Sequence, residues 1–172
     1  MSNPSVEFTT SHGNFTVELF AEQAPITVKN FLSYVEQGFY AGTIFHRVIE
    51  GFMIQGGGFT EDLEQKATQD TIENEASAEL KNKKGTIAMA RTMAPHSATA
   101  QFFVNTANNH FLDKDQAQDG WGYAVFGEVT DGMAVVEKID AVRTSGNRPV
   151  GPGLQNVPVE DVVIESVSVI NG

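Results

Sequence analysis

The chain has no cysteine, a single tryptophan and only 11 basic residues against 22 acidic ones. The missing thiols exclude a disulfide framework, a thiolate metal site and a cysteine nucleophile, although they leave the redox compartment open. A formal charge of -11 argues against phosphate backbones and anionic membrane surfaces as partners, so neither nucleic acid nor a membrane is expected. No apolar run approaches the roughly 18 residues of a membrane span, and Met1 to Ser5 carries neither a basic nor an apolar signal region, which leads to the expectation of a soluble cytoplasmic protein. Asn14-Phe15-Thr16 is a glycosylation sequon read here simply as strand sequence. With 172 residues and 41% hydrophobic content, one domain over 1–172 with a sizeable core is expected.

Short alternating runs dominate. Val6 to Thr10 and Phe15 to Phe20 flank Ser11-His12-Gly13-Asn14, the pattern of two strands and a tight turn. Pro25 suits a first helical turn, and Val28, Phe31, Leu32 and Val35 form an apolar stripe that ends at Gly38. Thr60 to Lys84 carries seven carboxylates without a sustained period and reads as a loop with one short helix around Ala76 to Leu80. Thr86 to Arg91, Gln101 to Thr106, Tyr123 to Val129 and Val162 to Val169 are further strand candidates. Asp131 is placed to cap a second helix with Val135, Ile139 and Val142 buried, and Arg143 to Val157, with Gly146, Pro149, Gly151, Pro152 and Gly153, is turn-rich. Many short strands, two helices and no βαβ rhythm predict a mainly β fold: a closed antiparallel eight-stranded barrel capped by two helices.

Several chemistries drop out on spacing. Asp113, Asp115 and Asp119 suggest a calcium loop, but Ala117 and Ala124 occupy positions that need ligands. Gly56, Gly57 and Gly58 lack the Lys-Ser/Thr ending of a phosphate loop, and no G-x-S-x-G elbow exists. His12, His46, His96 and His110 show no metal spacing; no metal or cofactor is expected.

The stretch Ile44 to Phe59 is unusual for a plain core strand. Its alternation puts Arg47 on one face with Phe45 and Ile49, sets His46 on the opposite face as a structural residue, and, if the hairpin folds at Glu50-Gly51, lines up Met53 with Gln55. A fixed cation, a pliable thioether and an amide along one groove suit an uncharged, half-apolar ligand. Gln101 and Phe103 repeat the amide-plus-apolar pairing, and Phe111-Leu112 lies in a loop. On spacing alone Arg47 serves equally well as a surface cation, and the aromatics as core.

Phe45-His46-Arg47-Val48-Ile49, Gly51 to Gly57 and Gln101-Phe102-Phe103 resemble the signature segments of the cyclophilin family of peptidyl-prolyl isomerases, in particular its compact bacterial cytoplasmic type, and the likeness runs along nearly the whole chain. The resemblance implies rotation about X-Pro bonds in peptides and unfolded proteins, with Arg47 as the catalytic hydrogen-bond donor and Gln55 holding substrate backbone. It implies a proline pocket of Phe52, Met53, Phe103 and Leu112, with Phe111 and Tyr123 on its ring, and a neighbouring peptide groove of Ala90, Arg91, Thr92 and Gln101. Phe111, Tyr123 and Arg91 stand where the best-known eukaryotic members have tryptophan, histidine and asparagine. Loss of the indole donor predicts activity with weakened cyclosporin affinity. A monomer is expected.

Such a rotation breaks no covalent bond. It needs a site that favours the twisted amide, whose nitrogen regains a lone pair that a guanidinium can reach. Two rivals predict otherwise. A proline-peptide-binding module or chaperone would retain partners without Arg47, and a barrel for a small apolar ligand would enclose its cavity.

Overall fold

A computed structural model describes residues 3–145 and 156–171 of the chain. Its strands are β1 (Ser5–Thr10), β2 (Gly13–Leu19), β3 (Thr43–Ile44), β4 (Arg47–Ile49), β5 (Met53–Gly56), β6 (Thr86–Met89), β7 (Phe102–Asn105), β8 (Val125–Asp131), β9 (Thr144–Ser145), β10 (Val157–Pro158) and β11 (Val163–Asn171). The helices are α1 (Pro25–Glu36) and α2 (Met133–Asp140). Gly146, Pro149, Gly151, Pro152 and Gly153 lie outside the described residues.

One antiparallel sheet runs in the order β3-β11-β1-β2-β8-β6-β7-β5-β4, and β9 pairs with β10 in a separate ribbon. The two outer strands of the large sheet, β3 and β4, are successive pieces of one stretch of chain. Counted as a single strand bent at Phe45-His46, this stretch pairs with β11 on one side and β5 on the other, and the sheet becomes the closed eight-stranded barrel that the sequence predicts. The bend also changes one expectation. Phe45 turns into the barrel, edge-on to Phe102, and does not share a face with Arg47.

Strand alternation separates two apolar clusters. Inward residues such as Phe8, Phe15, Ile54, Ile87, Phe102, Val104 and Phe126 build the main core, and Phe31 of α1 joins its rings at 5.2 Å from both Tyr40 and Phe126. The outward residues Met53, Ala88, Phe103 and Val125 form a smaller cluster, on which Ile49, Phe52, Ala90, Leu112 and Tyr123 pack. The same alternation that fills the barrel therefore prepares an apolar floor on its outside.

α1 starts at Pro25 as the sequence predicts, with its cap supplied from a distance, whereas α2 departs from expectation at its start. Ala24 supplies no side-chain cap to α1; instead Glu75 accepts from the Ile26 N–H at 3.2 Å and from the Thr27 N–H at 2.6 Å. That carboxylate serves the orphan donors and complements the helix dipole. Asp131 does not cap α2, because β8 runs through it in register with Thr16, and Gly132 at φ 83° makes the turn into the helix. The buried stripe of α2 is Val136 and Ile139, with Val135 and Val142 only partly covered. No helix forms at Ala76 to Leu80, where a single turn closes through a 3.1 Å bond from the Leu80 N–H to the Ser77 carbonyl.

Candidate active site

The hairpin β4-β5 pairs Arg47 with Gln55 and Ile49 with Met53, and β7 then sets Phe103 beside Gln55. Arg47, Gln55 and Met53 accordingly come to one side of the sheet. Arg47 Nη1 donates to Gln55 Oε1 at 3.2 Å, and Gln55 Nε2 donates to Gln101 Oε1 at 3.0 Å. This relay orients the amide of Gln55 and fixes the guanidinium, while leaving further N–H donors of Arg47 for a ligand.

An open cleft of about 210 Å³ is lined by Arg47, Phe52, Met53, Gln55, Ala90, Arg91, Phe103, Leu112 and Tyr123. Met53 and Phe103 are 2% and 4% exposed, so the floor is closely packed. The cleft is below the roughly 300–1,000 Å³ of drug-sized ligand pockets, a size suited to one small ring rather than to an enclosed apolar ligand. A second depression, of about 240 Å³, shares Gln55, Ala90 and Arg91 with the first and adds Gln65, Thr92, Ser97, Thr99 and Gln101. Its lining of amides and hydroxyls contrasts with the apolar floor beside it.

Two expected residues take positions that the spacing does not foretell. Phe111 lies outside the lining of the first cleft; it is 60% exposed and stacks on Phe52 at 5.7 Å, in a short 3-10 turn, His110–Leu112. Arg91 borders both depressions, yet its side chain is 4% exposed and its guanidinium is engaged elsewhere. It donates to Asp119 Oδ2 at 2.7 Å, to the Gly122 carbonyl from Nε and Nη2, and to the Thr92 carbonyl. The same group lies 4.4 Å from the Tyr123 ring, which meets Phe103 edge-on at 5.7 Å. Arg91 thus clamps the loop that delivers Tyr123. The Trp121 N–H and the Arg91 guanidinium together hold the Asp119 carboxyl down at about 2.

His46 behaves as its strand position predicts. It is 4% exposed, packs at 4.5 Å from Phe59, and does not line the cleft. Its Nδ1 has no hydrogen-bond partner; burial first, and the neighbouring Arg47 charge second, lower its pKa to about 4. Gln65, Ser97 and Thr99 were not foreseen, since Gln65 comes from one irregular segment and Ser97 and Thr99 from another. Isolated bridges, Phe59 with Gln65 and Ile72 with Ala98, and a 2.7 Å bond from Asn30 Nδ2 to the Thr99 carbonyl tie these segments to their neighbours. Among the described residues no cluster of His, Cys, Asp and Glu could hold a metal, and no helix is long and apolar enough to cross a membrane.

The family profile described as "Cyclophilin type peptidyl-prolyl cis-trans isomerase/CLD" matches residues 5–169. Peptidyl-prolyl cis-trans isomerase B of Escherichia coli (strain K12) is 57% identical over 166 residues, covering 95% of this chain and 98% of that protein. Peptidyl-prolyl cis-trans isomerase cyp18 of Streptomyces antibioticus is 54% identical over 167 residues, with 96% and 98% covered. Among solved structures, a cyclophilin type peptidyl-prolyl cis-trans isomerase of Cryptosporidium parvum superposes with a TM-score of 0.80 at 25% identity over 99% of each chain. The crystal structure of that protein in the presence of the dipeptide Ala-Pro gives 0.79 at 25% identity, covering 98% of this chain and 99% of that one. On fold, sequence and the arginine-bordered cleft together, the chain belongs to the cyclophilin-type peptidyl-prolyl cis-trans isomerases.

Proposed function

We propose that this isomerase rotates X-Pro bonds by seating the proline ring on Phe52, Met53, Phe103 and Leu112 while Arg47 donates a hydrogen bond to the prolyl nitrogen. The observation that carries the reading is the Arg47–Gln55–Gln101 relay on the edge of an apolar cleft. In a planar amide the nitrogen lone pair is delocalised and accepts poorly; in the twisted amide it is localised, so a donor fixed in advance binds the transition state better than either ground state. Gln55, oriented by hydrogen bonds accepted from Arg47 and donated to Gln101, holds the substrate backbone, and the second depression, with Thr92 and Gln101, takes the residues flanking proline. Tyr123 forms the far wall, Ala90 leaves room between the two depressions, and Phe111 covers Phe52 from outside. Arg91 acts by clamping that wall.

Magnitudes divide the work. Shortening a process of roughly ten seconds to a millisecond takes about 5.5 kcal/mol, and one charge-assisted hydrogen bond supplies about 1.5–3 kcal/mol. The rest comes from the fixed amides and hydroxyls beside the ring, against which the preceding carbonyl swings. Arg47→Ala should therefore lower kcat for a short Ala-Pro peptide roughly ten- to hundredfold in exchange NMR. Wild-type exchange in that variant would refute the mechanism.

The substrates that fit an open, shallow cleft are exposed X-Pro segments of peptides and unfolded chains, which a folding assistant would meet. We further infer a monomeric, single-domain protein over 1–172 that works in the cytoplasm and binds cyclosporin weakly. Ultracentrifugation tests the monomer and cell fractionation the cytoplasmic location.

A further inference from the structure

Behind the cleft lies a set of buried polar side chains that no step of the rotation uses. Asn82 and Asn105 are fully buried, and Asn109 and Asp113 are 4% and 1% exposed. Asn109 Nδ2 donates to the Phe52 carbonyl and to Asn105 Oδ1, each at 2.8 Å. Asn105 Nδ2 in turn donates to Asn82 Oδ1 at 3.0 Å and to Thr86 Oγ1 at 2.9 Å. Asp113 Oδ1 accepts from the Asn82 backbone N–H at 2.5 Å and from its amide at 3.2 Å, while Oδ2 lies 2.8 Å from His110 Nδ1.

The frame touches three walls of the cleft. The Phe52 carbonyl takes both Asn109 and the Thr106 N–H, the latter at 3.0 Å. Met53 stands opposite Asn105 in the β5-β7 register. The Leu112 N–H donates to the Asn109 carbonyl at 2.9 Å, and Asp113 ends the turn that carries Leu112. Burying amides and a carboxylate gives no stability advantage over an apolar core of the same volume. A saturated network in a low-dielectric interior does, however, admit few alternative arrangements. Apolar walls pack without direction, and a useful site needs its parts held to about 0.5 Å.

We propose that Asn109 and Asp113 are positioning residues of the isomerase: through the asparagine frame they hold Phe52, Met53 and Leu112 at the spacing that grips the proline ring. The inference rests on the cleft being the substrate site. Because the walls grip ground state and transition state alike, loosening them should raise KM with little change in kcat, the reverse of the Arg47→Ala signature.

The test measures kcat and KM for an Ala-Pro peptide at low temperature, with the folded state of each variant checked by circular dichroism. Asn109→Ala should raise KM roughly tenfold and His110→Ala, which frees one oxygen of Asp113 from the surface side, roughly threefold, with kcat within about twofold of wild type. Thr27→Val serves as comparator: it loses a 2.7 Å bond to Glu75 that is not part of the frame, and should lower Tm without moving KM. An unmoved KM in Asn109→Ala and His110→Ala, or an equal rise in Thr27→Val, overturns the inference. If Asn109→Ala does not fold, His110→Ala decides alone, its side chain being 52% exposed and its loss leaving no cavity. An Arg47→Ala enzyme of full activity would instead overturn the site reading beneath it.

Discussion

Acidification should unfold this protein partly through one imidazole. His46 is buried without a partner for Nδ1 and its pKa is lowered to about 4, mainly by desolvation and secondly by Arg47, whereas the unfolded side chain titrates near 6.5. Between these values the unfolded chain binds the proton that the folded chain refuses, so stability falls as pH drops through this window and is complete above it. At about 1.36 kcal/mol per unit, lowering pH from 7 to 5.5 removes about 1 kcal/mol through His46, and reaching pH 4 removes about 3 kcal/mol. Urea unfolding at pH 7, 5.5 and 4 of wild type and His46→Gln measures this term, because the carboxylates and the other histidines cancel in the difference. The variant should be less pH-sensitive by those amounts. A wild-type-minus-variant difference that stays constant from pH 7 to 4 would refute the burial argument.

Two other expectations concern the cleft. Gly122 has φ 69°, and a Cβ there would come within 2.7 Å of the Leu112 carbonyl and the Lys114 nitrogen, so Gly122→Ala should displace the turn bearing Leu112, cost about 1–3 kcal/mol in urea unfolding, and weaken peptide binding. Cyclosporin should inhibit only at high concentration, since Phe111 offers no indole donor and stands 60% exposed beside Phe52; tight stoichiometric inhibition in a peptide-exchange titration would contradict this.

What could be read from the sequence followed from periodicity. Val6 and Phe8 on one strand, Phe15 and Val17 on the next, and the α1 stripe of Val28, Phe31 and Val35 all occupy the buried side that their spacing demands. Periodicity fails where the chain bends: Phe45 leaves the face of Arg47 because the strand breaks between β3 and β4. Local signals also mislead when a distant residue takes over their role. Asp131 has the chemistry of a helix cap but is held in β8, and the cap of α1 arrives from Glu75, 48 residues from Thr27. Arg47, Gln55, Met53 and Phe103 were legible because strand register brings them together. Gln65, Ser97 and Thr99, and the frame of Asn82, Asn105 and Asn109, were not, since irregular loops and side-chain amides leave no periodic trace.

The strand order carries one more consequence, for biosynthesis. β1 is hydrogen-bonded between β2 and β11, with Ser5 opposite Asn171, so β1 leaves the ribosome long before the partner it needs. Pairing across such a sequence separation makes for slow folding, and at about 5–20 residues per second the nascent chain spends many seconds with one edge of β1 uncovered. This isomerase is itself able to complete its sheet only after translation has delivered β11.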